Sequence, residues 1–175
     1  MLSGESHYFL GKRYRLRVIN SIGTPTVQLH DTSTIHVYVR PEMNAEMREL
    51  LLRRWYRERL RELIPPLLQK WQKILGVEAV EYRVKRMKTR WGTCNSAARR
   101  IWLNLELTKK PVQCLEYVIV HELAHLIERH HNERFISIMD QHLPQWRLHR
   151  KELNSAPLAH ENWKQCLEPN IDVDY

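Results

Sequence analysis

The sequence predicts an α+β domain, with small antiparallel sheets packed on helices and one metal-binding helix. Three observations predict it. Short stretches with two-residue apolar alternation occupy 6–40 and recur between 80 and 107. A long run of helical periodicity lies between them. An apolar stretch, YVIVHELAHLI at 117–127, then carries two histidines and a glutamate at helical spacing.

Taken in order, HYFLGKRYRLRVI holds Gly11 at a turn between two short strands. TVQLH and TIHVYV flank the turn residues Asp31, Thr32 and Ser33. A small antiparallel sheet is expected from these four strands. Residues 43–64 read as a long helix, because Met47, Leu50, Leu51, Trp55, Leu60, Leu63 and Ile64 recur at helical spacing. Pro65 and Pro66 are expected to stop it, since proline lacks the N–H and clashes with the preceding turn. A shorter helix, LLQKWQKIL, should then end at Gly76. VEYRVKRM and IWLNLEL alternate again and predict a hairpin across the polar connection KTRWGTCNSAARR. From Pro111 the pattern turns helical and runs into HELAH. Two short helices are expected over 132–153, separated by Pro144, and the polar tail after Asn154 reads as loosely ordered. No repeat or linker divides the chain, so 1–175 reads as one domain.

Composition narrows the classes. Lys plus Arg (28) exceeds Asp plus Glu (20), a formal net charge of +8 that favours anionic partners. Six arginines fall on the helix at 43–64, but Glu49 precedes Arg53 by four and Glu58 precedes Arg61 by three, so part of that charge is expected to pair on the surface. Cys94, Cys114 and Cys166 are scattered and odd in number, which excludes a disulfide framework and a cysteine-based zinc site. The first residues lack the apolar core of a signal peptide, and no stretch reaches membrane-span length. The expected compartment is the cytoplasm, with no membrane partner.

The chemistry lies at 121–132, HELAHLIERHHN. On a helix, His121 and His125 face the same way one turn apart and can share a metal ion. Glu122 sits beside them, where its carboxylate reaches a water on the metal without being a ligand. Zinc lowers the pKa of such a water to about 7, and the glutamate takes its proton as it attacks. Burying His, Glu and His on an apolar helix without a metal would leave costly polar groups. A catalytic zinc wants a third protein ligand, and Glu128, His130 and His131 are candidates. A continuous helix would carry His131 roughly 9 Å past His125 along the axis, out of reach. The helix must therefore end soon after Ile127 and the chain turn back. Asn132 is a good N-cap for the next helix, but no Gly or Pro marks the turn. Spacing does not choose among the candidates.

MKTRWGTC at 87–94, IWLNLEL at 101–107 and YVIVHELAHLIERHHNERF at 117–135 together resemble the YgjP-like zinc metallopeptidase-type family. That family is related to SprT-like proteases and, more distantly, to gluzincin-type metallohydrolases. HYFLGKRYRL at 7–16 and LPQWRLHRKELN at 143–154 extend the resemblance over most of the chain. The resemblance implies a zincin-like site with His131 as third ligand, His130 in the place of an asparagine and Ile136 in that of a tryptophan. It also implies that the chain starts inside the N-terminal region that family members usually carry. In MKTRWGTC, one reading makes Gly92 a bend with Trp91 packed in the core. The other, favoured by the resemblance, puts the Arg90 guanidinium beside the metal to stabilise charge on a substrate oxygen. Cys94 reads as a small buried residue. His7, His30, His36, His142, His149 and His160 lack partners at ligand spacing and read as surface or packing residues, as the tryptophans at 55, 71, 102, 146 and 163 read as packing groups.

The expected function is zinc-dependent hydrolysis with His121, His125 and His131 on Zn2+ and Glu122 as base. The resemblance implies a peptide substrate, for which the strand at 101–107 is the expected edge for an extended chain. The same site could attack a phosphoanhydride such as a nucleoside triphosphate, which the arginine excess would suit. A third reading is a zinc-binding module whose basic face binds nucleic acid. Nothing in the sequence sets the oligomeric state.

Overall fold

The computed structural model describes residues 3–155. The expectations for the polar tail, His160, Trp163 and Cys166 fall outside them. The class is α+β, as expected. The pairing within the sheets is mixed rather than purely antiparallel.

The first sheet contains β1 (Ser6–Phe9), β2 (Lys12–Asn20), β3 (Thr26–Leu29) and β4 (Thr34–Val39), in the order β1-β2-β4-β3. β1–β2 and β3–β4 are hairpins, but β2 and β4 run parallel, with Leu16 opposite Ile35 and Val18 opposite Val37. Both turn signals hold. Leu10 and Gly11 take positive φ between β1 and β2. The Asp31 carboxylate accepts the Ser33 backbone N–H and hydroxyl between β3 and β4. Leu16, Val27, Ile35, Val37 and Val39 point to one face and are buried.

α1 (Ala45–Leu75) covers that face. Asn44 caps it by accepting the Met47 N–H at 2.9 Å, and Gly76 ends it in the left-handed region at φ 66°. The expected break at Pro65 and Pro66 does not occur, for a physical reason. The two prolines leave the carbonyls of Arg61 and Glu62 without partners, and all four residues are exposed, so water can satisfy them. Meanwhile Leu60, Ile64, Leu68 and Trp71 carry one buried stripe straight past the prolines. Burying those side chains at roughly 1.5–3 kcal/mol each outweighs a proline cost of about 3 kcal/mol apiece. Met47 and Leu50, expected on the apolar face, are instead exposed. The single helix thus joins two cores: Leu52, Trp55 and Tyr56 pack on the first sheet, while Leu60 to Trp71 enter the second core. Three of its six arginines pair within the helix, through Arg53–Glu49, Arg54–Glu58 and Arg59–Glu62. Glu58 pairs with Arg54 rather than with the expected Arg61.

The second sheet contains β5 (Glu81–Lys85), β6 (Gly92–Asn95) and β7 (Arg100–Asn104), in the order β5-β7-β6. The expected hairpin of 80–87 with 101–107 is corrected: β5 runs parallel to β7, and the hairpin is β6–β7. The strand also stops at Asn104, and Leu105–Lys109 forms a 3-10 turn. The cause is the buried Asn104 side chain. Its amide donates to the carbonyls of Met87 and Arg90 at 2.9 and 2.8 Å, while its oxygen accepts the N–H of Glu106 at 3.2 Å. A backbone bent around that side chain cannot continue as a strand. α2 (Val112–Ala124), α3 (Glu133–His142) and α4 (Trp146–Ser155) complete the domain. Gly11 sits where a Cβ would lie 2.7 Å from Pro111 Cγ, so the β1–β2 turn closes directly on the start of α2. Among the described residues, no helix is long and apolar enough to cross a membrane.

Candidate metal centre

α2 is apolar nearly all round and runs through the middle of the second core. Lys70 and the Trp71 indole N–H of α1 both bind the Glu116 carboxylate, which fixes the two helices side by side. The helix carries His121 and Glu122 in its last turn and ends at Ala124, three residues before the expected point, with His125 as its C-cap. The N–H groups of Leu126 and Ile127 turn back to the carbonyls of Leu123 and Ala124 in a tighter coil.

The reversal that sequence left unmarked is made by Glu128. Its carboxylate accepts the His130 backbone N–H at 3.2 Å. This bond, the Asn132 side chain and Arg134 together hold the carboxyl below its ordinary range against a smaller opposing effect of desolvation. Asn132 then caps α3 by accepting the Phe135 N–H at 3.1 Å, as expected. The chain between these anchors swings His131 back over α2.

Three imidazoles converge there. His121 Nε2 lies 3.2 Å from His125 Nε2 and 3.1 Å from His131 Nε2. Among the described residues these three form one group able to hold a metal ion, with ligand atoms all within 4.8 Å of one another. A tetrahedral zinc about 2.05 Å from each nitrogen would space them by about 3.3 Å, close to the two distances from His121. Their chemistry fits too. His125 Nδ1 lies 3.1 Å from the Glu128 carbonyl, which only accepts, so Nδ1 carries the proton and Nε2 presents a lone pair. Burial, then the neighbouring rings and Arg150, hold His121 well below the ordinary imidazole range. Burial lowers His125 as well. Neutral imidazole is the form that binds metal. Phe135, 2% exposed, packs its ring against all three at centroid distances of 4.8–5.0 Å. It forms an apolar floor that locks their orientation.

Glu122 is 5% exposed on the next position of the helix. Burial pushes its carboxyl up to about 8, against the opposing charge of Arg90. The reason it can sit so close to the sheet is Gly92. A Cβ there would lie 2.5 Å from Glu122 Oε1 and 2.8 Å from Val118 Cγ1. Gly92 therefore permits close approach of β6 rather than making a bend, and its φ is not in the left-handed region. Arg90 precedes it in an exposed loop pinned by Asn104, with its charge acting on Glu122. Trp91 packs on the edge of the core, its indole N–H donating to Asn154 at 3.3 Å. Cys94 is half-buried and outside the metal group, its thiol pushed up to about 11 by burial and by Glu122.

His130 is exposed and stands apart from the triad. Sequence reasoning did not find Tyr117, Arg150 or Asn104. Tyr117 meets His121 edge-on at 5.8 Å and stacks on Trp146 at 6.4 Å. The spacing of Tyr117 and His121, one helical turn, was the available signal. Arg150 comes from α4, and nothing in the local sequence ties it to the site.

The YgjP-like metallopeptidase domain model matches residues 1–156. The chain belongs to the YgjP-like metallopeptidase family. Among solved structures, this YgjP-like domain is similar to the metallopeptidase zymogen of Pyrococcus abyssi abylysin, with 20% identity, a TM-score of 0.47, and coverage of 50% of this chain and 89% of that chain. No curated protein matches it.

Proposed function

We propose that this metallopeptidase-family domain hydrolyses peptide bonds with zinc held by His121, His125 and His131 and with Glu122 as general base. The convergence of three imidazole nitrogens beside a buried carboxylate carries the proposal. Bound zinc would supply the Lewis acidity that makes water nucleophilic near neutral pH. Glu122 accepts the proton of the attacking water and passes it to the leaving amine. Its burial keeps the carboxyl basic enough for the first transfer and acidic enough, once protonated, for the second. Phe135 excludes water from the back of the triad. The Arg90 guanidinium, on its exposed loop, can meet the developing charge on a substrate carbonyl oxygen.

The peptide reading draws on the edge of the second sheet. The strand expected to receive substrate, 101–107, contains β7, which is central and already paired on both sides. The free edges are β5 and β6, and β6 is the one whose first residue touches Glu122. An extended peptide pairing with Gly92–Asn95 would lay its backbone past the carboxylate. A nucleoside triphosphate has less support, because three of the six arginines of α1 are bonded to glutamates of the same helix.

The test is turnover by zinc-loaded protein on a panel of peptides and unfolded protein and, separately, on nucleoside triphosphates. Peptide cleavage that disappears in Glu122→Gln while zinc content stays constant is the expected result. Phosphate or pyrophosphate release, lost in the same variant, would replace the peptide reading. Unchanged turnover in the variant would remove Glu122 as base.

A further inference from the structure

The strongest unused feature lies far from the triad in sequence, on the outer face of the first sheet. Strand alternation sends Tyr14 and Leu16 into the core and Arg13, Arg15 and Arg17 outward, all three exposed. None of the three has an ion-pair partner among the described residues. On α1, by comparison, glutamates pair with Arg53, Arg54 and Arg59. The guanidinium stems repeat every second residue, about 6.6 Å apart along the strand.

Register places aromatic rings beside them. Arg17 pairs with His36 across β2–β4, and Ile19 with Tyr38. His36 stacks on His30 at 3.9 Å with 14° between planes, and meets the Tyr38 ring edge-on at 6.0 Å. The outward positions of all four strands contain no Asp or Glu. Asp31, in the β3–β4 turn, accepts the Ser33 N–H and hydroxyl. His36 is only 6% exposed, yet its Nε2 has no hydrogen-bond partner.

We propose that this face binds single-stranded nucleic acid, with phosphates along Arg13, Arg15 and Arg17 and bases against Tyr38 and the exposed His30 ring that covers His36. A ladder of unpaired cations tracks a polyanion, and ring faces on an open sheet accept unpaired bases. A duplex keeps its bases stacked inside and could use only the charges. An anionic bilayer would also use only the charges, and it would leave the ring stack without a role. The proposal concerns binding alone and stands independently of the hydrolytic site.

The experiment is fluorescence anisotropy of the whole protein with a labelled oligothymidylate, over a salt series. Three neutralised phosphates predict a slope of log K against log salt of about −2, at roughly −0.7 per contact. Arg15→Gln alone should reduce the slope by about 0.7, and Arg15→Gln with Arg17→Gln should leave about −0.7. Tyr38→Ala should weaken binding roughly five- to hundred-fold at unchanged slope. Arg54→Gln with Arg61→Gln, on α1, should change neither quantity. The single Arg15→Gln change, at an exposed residue, keeps the test valid if the double variant does not fold. No binding at low salt overturns the proposal. So does a salt slope left unchanged by Arg15→Gln with Arg17→Gln, or binding that is lost with the α1 variant. Equal affinity for duplex with no effect of Tyr38→Ala, or preference for anionic vesicles over the oligonucleotide, also overturns it.

Discussion

Gly92→Ala tests the central geometric claim about the site. The added methyl would lie 2.5 Å from Glu122 Oε1, 2.8 Å from Glu122 Cγ and 2.8 Å from Val118 Cγ1, where ordinary contact is 3.4–4 Å. Oε1 is the mobile end of a side chain, but Glu122 Cγ and Val118 Cγ1 belong to a buried helix that cannot easily yield. Either β6 retreats from α2 by about 1 Å or the carboxylate turns away from its position beside the triad. Overpacking of this kind costs about 1–3 kcal/mol, which corresponds to a drop in Tm of roughly 2–12 °C for a domain of this size. A 1 Å misplacement of a catalytic group lowers kcat by about 100-fold. The methyl does not approach the imidazoles, so zinc affinity should hold. The assay is therefore threefold: thermal unfolding, zinc affinity by chelator competition, and peptide turnover. Unchanged Tm with unchanged turnover would refute the close-approach argument. Loss of zinc along with activity would show that the helix, rather than the carboxylate, had moved.

Other substitutions and conditions probe the same chain of reasoning. His131→Ala should lower zinc affinity by at least 100-fold, because it removes a ligand, whereas His130→Ala should change it less than about threefold; chelator competition on both decides the third ligand. Pro65→Ala with Pro66→Ala should stabilise the domain by about 2 kcal/mol per site, the helical cost of about 3 kcal/mol less about 1 kcal/mol of entropy returned to the unfolded chain. Urea unfolding reads this directly, and a loss of stability would mean that the prolines serve the fold. Metal-free protein should lose stability as pH rises from 6.5 to 8. Glu122, raised to about 8, binds a proton in the folded state that the unfolded chain has released, at about 1.4 kcal/mol per unit. The buried histidines act oppositely, since their lowered values cost stability as pH falls below 6.5, so the two effects separate by range. Unfolding midpoints of metal-free Glu122→Gln should be flat from pH 6.5 to 8, and a persisting slope would assign the effect elsewhere.

Much of the fold is written in local chemistry. Alternation marked six of the seven strands within a few residues, while β6 lay inside the stretch expected to be a polar connection, and Gly76 and Asn132 act as the caps their types suggest. His121, Glu122 and His125 were legible because helical spacing places them together without help from the rest of the chain. The errors share one physical origin. Whether Pro65 and Pro66 break a helix depends on whether water reaches the carbonyls of Arg61 and Glu62 and on what the stripe from Leu60 to Trp71 buries. Neither is a local property. Strand pairing is likewise a global choice, so the sequence of 80–107 showed that strands exist there but not that β7 takes the centre.

The amino-acid sequence by itself pointed to the chemical kind of this protein, because two histidines and a glutamate at helical spacing on an apolar helix form a face able to hold a metal ion. The third imidazole needed the tertiary fold. Glu128 and Asn132 form the turn that returns His131 to within 3.1 Å of His121, and no spacing rule contains that path. The fold alone also brought Gly92 against Glu122 and paired three arginines of α1 while leaving Arg13, Arg15 and Arg17 of β2 without ion-pair partners among the described residues. Charge pairing and close approach are properties of distance in space, which sequence distance does not report.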